Sequence, residues 1–252
     1  MLASFVIVLR EGFEAFLIVA IVFAFLRKTA REDLLPAARW GVVVALAASA
    51  LVGWILEKGA NTSLWEGILG LVAVPFVLGL VVHMWRAGPT LKGRMEKRLA
   101  ATSEKSSDRA AVGVFTFTLL MITREGMETA LMLLQARGPE ATQGMVLGLI
   151  AAGLVAWAWS RYGHRVNVRR FFQVTGIFLV LFVGQVAIYA LHELSESGLF
   201  LNQAVLDFHM ATEPYSPYGR YGRWFSVLMV GVPALWLLVA AVRDRAVQGR
   251  SA

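Results

Sequence analysis

The chain has 252 residues, of which 58% are apolar and 16% charged; 24 Lys and Arg face 17 Asp and Glu, for a net charge of +7 and a mean hydropathy of +0.63. An ordinary soluble domain is about 45–50% apolar and about 25% charged, so a soluble globular enzyme, a disordered chain and a fibrous chain are all excluded. Cysteine is absent, which excludes disulfides, thiolate zinc sites, iron–sulfur clusters and a cysteine nucleophile.

The apolar runs are too long for barrel strands, so the fold class is an all-α polytopic membrane protein. Seven runs, at about 3–26, 38–57, 64–85, 111–135, 143–161, 171–193 and 224–242, approach the roughly 20 residues that a membrane helix needs. The first holds Arg10, Glu11 and Glu14 in its middle and has no basic segment before it, so it reads as a retained span rather than a signal peptide. Seven spans leave the termini on opposite sides. Eighteen of the 24 Lys and Arg fall in the 27–39, 86–110 and 161–170 loops and the C-terminal tail, and four fall in the loops of the other side. The positive-inside rule therefore puts the N-terminus outside and the C-terminus inside. The basic excess then belongs to cytoplasmic loops beside anionic membrane lipid, not to a nucleic-acid surface; the 86–110 segment reads as a solvated loop. The outer loops carry seven carboxylates, a net −3, which either draws cations or is what remains once Lys and Arg are excluded. Trp40, Trp54, Trp65, Trp85 and Trp224 fall near span ends, where aromatic rings sit at the interface, and Pro75 and Pro233 mark kinks inside spans.

The chain repeats itself. Arg10-Glu11-Gly12-Phe13-Glu14 in span one returns as Arg124-Glu125-Gly126-Met127-Glu128 in span four, an R-E-G-x-E pattern at an offset of 114. Spans two and five align at an offset of 103 through Gly41 with Gly144 and Leu51-Val52-x-Trp54 with Leu154-Val155-x-Trp157; spans three and six align weakly through Gly70 and Gly176. The expected organisation is a single membrane domain over 1–252, with repeat one at about 1–86, repeat two at about 110–194 and a seventh helix at about 224–242. A three-span unit reverses direction, so the two halves are expected to be inverted repeats with a site at the membrane midplane. Both motifs lie about nine residues from the outer end of their helix, roughly 14 Å at 1.5 Å per residue, near the middle of a core about 30 Å thick.

Each ionisable residue at that depth costs roughly 2.5–3.5 kcal/mol on insertion scales, so six of them must face inward and pair. Arg10 reaches Glu14 four residues on, as Arg124 reaches Glu128. Four carboxylates then stand against two guanidiniums, and a hard cation would balance the charge. Two salt-bridged clusters that only lock helices, and a metal-free proton relay, are the competing readings.

The doubled motif in the first and fourth of seven spans resembles the oxidase-coupled iron permeases, the iron/lead transporter family that includes fungal high-affinity permeases and bacterial EfeU- and FtrC-like permeases. The resemblance implies that Glu11, Glu14, Glu125 and Glu128 hold the metal, with Arg10 and Arg124 as supporting salt-bridge partners. It covers nearly the whole chain in span number and orientation. A second stretch, Leu191-His192-Glu193-Leu194-Ser195-Glu196, is similar to one that bacterial members carry at the outer end of span six. His192, Glu193 and Glu196 there form a candidate outer entry site, against an ordinary polar helix end. The 194–223 segment, with Asp207, His209, Glu213, Tyr215 and Tyr218, reads as a connecting loop with a short amphipathic helix; Gln185 and Tyr189 either line a polar path or bond between helices.

The resemblance further implies a bacterial inner-membrane, multi-pass location and a periplasmic iron-binding protein or oxidase as partner; homo-oligomerisation is left open. No catalysis and no cofactor beyond the transported iron is expected. One alternative is a permease of the same fold for another divalent cation such as lead or manganese, since carboxylates separate hard cations poorly. A membrane haem electron carrier is the alternative from another class; it needs two histidines at one buried depth, and His83, His164, His192 and His209 provide no such pair.

Overall fold

Charged and glycine-bearing segments divide the apolar sequence into long helices, seen in a computed structural model that describes residues 1–59, 63–87, 91–103, 107–136, 138, 140–162, 168–196, 203–215, 220–221 and scattered positions from 224 to 239. The helices are α1 (Leu2–Lys28), α2 (Leu35–Gly59), α3 (Ser63–Ala87), α4 (Leu91–Ser103), α5 (Ser107–Gln135), α6 (Ala141–Tyr162), α7 (Val168–Glu196) and α8 (Gln203–Thr212). Short 3-10 turns lie at Glu32–Leu34 and Glu213–Tyr215, and no strand occurs among the described residues. By length and apolarity five stretches can cross a membrane: Glu32–Lys58, Leu64–Arg86, Asp108–Gln135, Ala141–Trp159 and Arg170–Ser195. The protein is thus an all-α, multi-pass membrane protein. Helix α1 is as long as these, but Arg10, Glu11 and Glu14 interrupt its apolar run. The described positions between 224 and 239 are helical; the rest of the expected seventh helix lies outside the described residues.

Helix α1 ends in a Schellman motif: Arg31 N–H donates to Leu26 O at 2.8 Å and Ala30 N–H to Arg27 O at 3.2 Å. Ala30 takes the left-handed conformation, φ 54°, that the motif needs at its turn and that glycine usually supplies. The turn delivers the chain directly into α2.

The chain forms two compact units, each built from separated segments. One comprises 1–59 and 86–166, the other 60–85 and 167–252. The first two spans of each expected repeat therefore fall in the first unit and the third span of each in the second.

In the first unit α1 packs along α6, α2 packs along α5, and α1 also meets α5. The contacts recur at the sequence offsets. A Cβ on Gly12 would lie 3.1 Å from Ala152 Cβ, and one on Gly126 would collide with Ser49; residue 152 is 49 advanced by 103. A Cβ on Gly41 would lie 2.9 Å from Phe115 O and from Thr118 Cβ, and one on Gly144 would collide with Met1 O and Ser4 Oγ; residues 115 and 118 are 1 and 4 advanced by 114. Small residues let these backbones approach closely. The outward faces match too: Val43, Val44, Leu46, Leu51 and Trp54 on α2 and Val146, Leu147, Leu149, Leu154 and Trp157 on α6 are all exposed, an apolar surface suited to lipid.

The core below the charged motif joins Ile18, Ile21, Val22 and Leu26 of α1 to Leu34, Leu35, Ala38 and Ala45, with Met95 and Leu99 of α4 and Ala110, Val114 and Ile122 of α5. Segment 86–110 is therefore not simply a solvated loop, since it contains α4. An Arg31 guanidinium N–H donates to Ser103 O, tying the end of α4 to the α1–α2 turn.

In the second unit, Gly67 of α3 lies against Leu194 and the Ala190 carbonyl of α7, and Gly176 of α7 lies against Trp85. These pairs run in opposite directions along the two helices, so α3 and α7 are antiparallel. Helix α8 packs on α7.

Candidate metal centre

The motif residues all lie on α1 and α5, whose helical register sets their directions. Residues 10 and 14, like 124 and 128, stand one turn apart on one helix face. Arg10 is 2% exposed, Glu11 1%, Glu14 6%, Glu125 5% and Glu128 4%. Glu11, Glu14 and Glu125 come together: each offers a carboxylate oxygen, and the three oxygens lie within 4.8 Å of one another. Two come from one helix and the third from the helix that carries the second copy of the motif.

The two arginines differ. Arg10 lies inside the cluster, with Nη1 3.4 Å from Glu11 Oε1 and Nε 3.2 Å from Glu14 Oε1. These are ion-pair distances without hydrogen-bond alignment: Arg10 Nε and Nη1, both Glu11 oxygens, Glu14 Oε1 and Glu125 Oε2 are buried with no hydrogen bond. Arg124 is 44% exposed, and its Nε donates an aligned hydrogen bond to Glu128 Oε1 at 2.7 Å. Glu128 is thus buried and near the cluster in sequence register, but it is held by its arginine and is not one of the three clustered carboxylates.

Three clustered carboxylates bury more negative charge than the one Arg10 guanidinium among them balances, and buried charge is costly unless it is paired. A hard cation takes oxygen ligands, and an anionic group of this kind provides them. The arrangement can bind a cation; it has no nucleophile–base pair for covalent chemistry among the described residues.

A second polar group lies at the C-terminal end of α7. His192 is buried, and its Nδ1 is 2.9 Å from Thr212 Oγ1 of α8; His209 of α8 has Nδ1 3.2 Å from Ser195 Oγ of α7. The two imidazoles lie near parallel with centroids 4.3 Å apart. Below them, the Tyr189 hydroxyl donates to Glu66 Oε2 of α3 at 3.2 Å, with the buried Glu193 carboxylate as its other neighbour. Of the expected entry residues, His192 and Glu193 sit here, and the Glu196 side chain lies outside the described residues. Glu66, Thr212 and the pairing of His209 with His192 were not anticipated. The clue was a repeated spacing, His192-x-x-Ser195 and His209-x-x-Thr212, which needed the antiparallel α7–α8 contact to acquire meaning.

Fold and cluster define a multi-pass helical membrane protein with a buried, oxygen-only acidic group suited to a hard cation. Residues 1–234 match the Iron permease FTR1 family, and the chain belongs to that family. It is 30% identical over 212 residues to a protein named ferrous iron permease EfeU from Yersinia pestis, spanning 79% of this chain and 74% of that protein. The like-named protein of Escherichia coli O6:K15:H31 is 26% identical over 221 residues, spanning 84% of this chain and 80% of that one. An uncharacterised Archaeoglobus fulgidus protein is 30% identical over 208 residues, 78% of this chain and 71% of its own length. No solved structure matches the chain. Iron transport is therefore the activity of this membrane protein's family, and iron is the substrate that the resemblance implied.

Proposed function

We propose that the protein imports iron across a bacterial inner membrane through a site made by Glu11, Glu14, Glu125 and Glu128, with seven spans, the N-terminus outside and the two halves related as inverted repeats. The observation that carries the site is the meeting of carboxylates from both copies of the motif, with buried oxygens that no hydrogen bond satisfies. Contacts that recur at offsets of 103 and 114 support the repeat. The names of the relatives favour the ferrous ion as cargo.

In this reading Glu11, Glu14 and Glu125 form a ready three-carboxylate group, and Glu128 joins when the cation's charge outcompetes Arg124 for it. Arg10 remains in place and limits the repulsion among the carboxylates. Iron enters at the outer end of α7 by way of His192, Glu193 and Glu196, handed over by a periplasmic iron-binding protein or oxidase. Movement of one repeat against the other then opens the site inward.

The test is uptake of radioactive iron in cells lacking other iron importers. The double substitution Glu11→Gln/Glu125→Gln, at normal membrane abundance, is expected to reduce uptake to background, and excess manganese or lead to leave wild-type uptake in place. Wild-type uptake in the double variant would refute the site. Suppression by manganese or lead would move the substrate while leaving the site.

A further inference from the structure

We propose that the basic face of α4 is a docking surface for anionic phospholipid headgroups, at the membrane level where α1 ends and α5 begins.

The depth of α4 follows from what it buries. Met95 is 3% exposed and Leu99 0%, and both join the core that holds Leu26, in the last turn of α1, and Ala110, in the first turn of α5. Helix α4 packs on both of those helices. At its C-terminal end Arg31 holds Ser103 O, and Gly113 of α5 comes up against Thr102. The stretch Asp108–Gln135 of α5 has 28 residues. At about 1.5 Å per residue it rises about 42 Å, the thickness of a bilayer with its headgroups, about 40–45 Å. The first turn of α5 therefore lies in a headgroup layer, and α4 lies there with it. Trp40, two residues past the core residue Ala38 in α2, is exposed, as suits an aromatic ring at the interface.

The face that α4 turns away from Met95 and Leu99 is cationic. Arg94, Lys97 and Arg98 are exposed and lie within about 100° of the helix circumference. The helix has one acidic residue, Glu96, and it is half-buried. The adjoining helix ends and turn carry Arg27, Lys28, Arg31 and Arg109 against Glu32, Asp33 and Asp108, and Arg31 is paired with Asp33. The three exposed cations of α4 thus add to a level otherwise close to charge balance. Among the described side chains, none of the exposed large apolar ones belongs to α4, so the helix offers charge and no apolar face to a partner. A basic helix at headgroup depth meets anionic lipid, and each Lys or Arg there strengthens binding about fivefold, the equivalent of about 1 kcal/mol. Helices α1 and α5 carry the two charged motifs, so a headgroup bound on α4 bears on both.

The test uses full-length protein, delipidated in mild detergent and titrated with phosphatidylglycerol or phosphatidylcholine, with bound lipid per chain counted by native mass spectrometry. The two lipids share the glycerophosphate and differ in net charge. Wild type is expected to prefer phosphatidylglycerol. Arg94→Gln/Lys97→Gln/Arg98→Gln should lose that preference, by about fivefold for each charge removed. Glutamine keeps the helix propensity and leaves Met95 and Leu99 in place. Arg94→Lys/Arg98→Lys keeps the charge and should keep the preference, as should Arg161→Gln at the far end of α6. Salt raised from about 0.1 M to 1 M, which shortens the Debye length from about 10 Å to 3 Å, should weaken the wild-type preference. Equal binding of the two lipids by wild type would overturn the proposal and leave the face to water or to an acidic protein. An undiminished preference in the triple Gln variant would overturn it too, as would an equal loss in Arg161→Gln, which would make the effect one of overall charge. Displacement of the lipid by inorganic phosphate would refute a lipid as the natural occupant. The count needs no iron, so its result stands apart from the reading of the motif cluster as an iron site.

Discussion

At the scale of single residues, the two copies of one motif have become chemically unequal. Arg10 is buried among carboxylates that it neutralises without aligned hydrogen bonds, whereas Arg124 is partly exposed and holds Glu128 with a short, aligned one. A helix lock and a cation site make opposite predictions for Glu14. If the pair with Arg10 were a lock, Glu14→Gln would break a buried ion pair at a cost of about 3–5 kcal/mol, a fall in Tm of roughly 6–20 °C for a chain of this size. If the cluster is a cation site, four carboxylates against two guanidiniums repel one another, and the neutral glutamine relieves that repulsion. The expected outcome is a metal-free Tm equal to or above wild type, measured in detergent. The gain on adding Fe(II), which for a ligand at 100 times Kd is about 2.7 kcal/mol, should shrink sharply. A large metal-free loss would reinstate the lock. The burial of five of these six charged residues was legible in the sequence, because charge inside an apolar run is expensive and must face inward. The difference between Arg10 and Arg124 was not, because identical motifs carry no information about the helices that surround each copy.

At the scale of helices, the repeat is expressed as contacts. Gly12 faces Ala152 and Gly126 faces Ser49, at matching positions of α6 and α2. The Ser49 hydroxyl makes the second approach the tighter, for Ser49 Oγ is turned back to Ala45 O at 2.8 Å and cannot swing away without losing that bond. Gly126→Ala should therefore destabilise by about 1–3 kcal/mol, the usual cost of overpacking, and Gly12→Ala by less. Ser49→Gly alone should cost about 0.5 kcal/mol through helix propensity. Combined with Gly126→Ala it should recover much of that variant's loss, so the double-mutant cycle, read from Tm, shows strong coupling. Additive losses would mean that the two positions do not touch. Element positions were largely legible: the expected 38–57 and 143–161 became Leu35–Gly59 and Ala141–Tyr162, each longer because a helix continues past the apolar core that defines it in sequence. Helix α4 was missed because its average polarity resembles a loop. Leu91, Met95 and Leu99 recur every fourth residue, and Met95 and Leu99 are buried against α5, but a stripe that narrow is hidden when apolar runs are sought over 20 residues.

At the scale of the whole molecule, each expected repeat places its first two helices in one compact unit and its third in the other, so the expected repeats and the spatial units cut the protein along different lines. Sequence reading proposes the repeats from similarity carried along the chain. It does not find the units, because those depend on which helix faces meet. Orientation is a global property that the sequence predicts from which loops carry Lys and Arg. The absence of cysteine makes it directly measurable, since an introduced cysteine is the sole thiol. With seven spans and the N-terminus outside, Thr62→Cys and Ser197→Cys face out and Ser106→Cys and Ser251→Cys face in. A membrane-impermeant maleimide applied to intact spheroplasts should label the first two and spare the last two, and permeabilisation should expose all four. Complete reversal of the pattern would invert the protein and place His192 and Glu193 on the cytoplasmic side, where they could not receive iron from outside. Labelling of Ser251→Cys alongside Thr62→Cys would mean an even number of spans. The positions of α1 and α5, and with them the shared depth of the two motifs, would survive that result; the seventh helix would not.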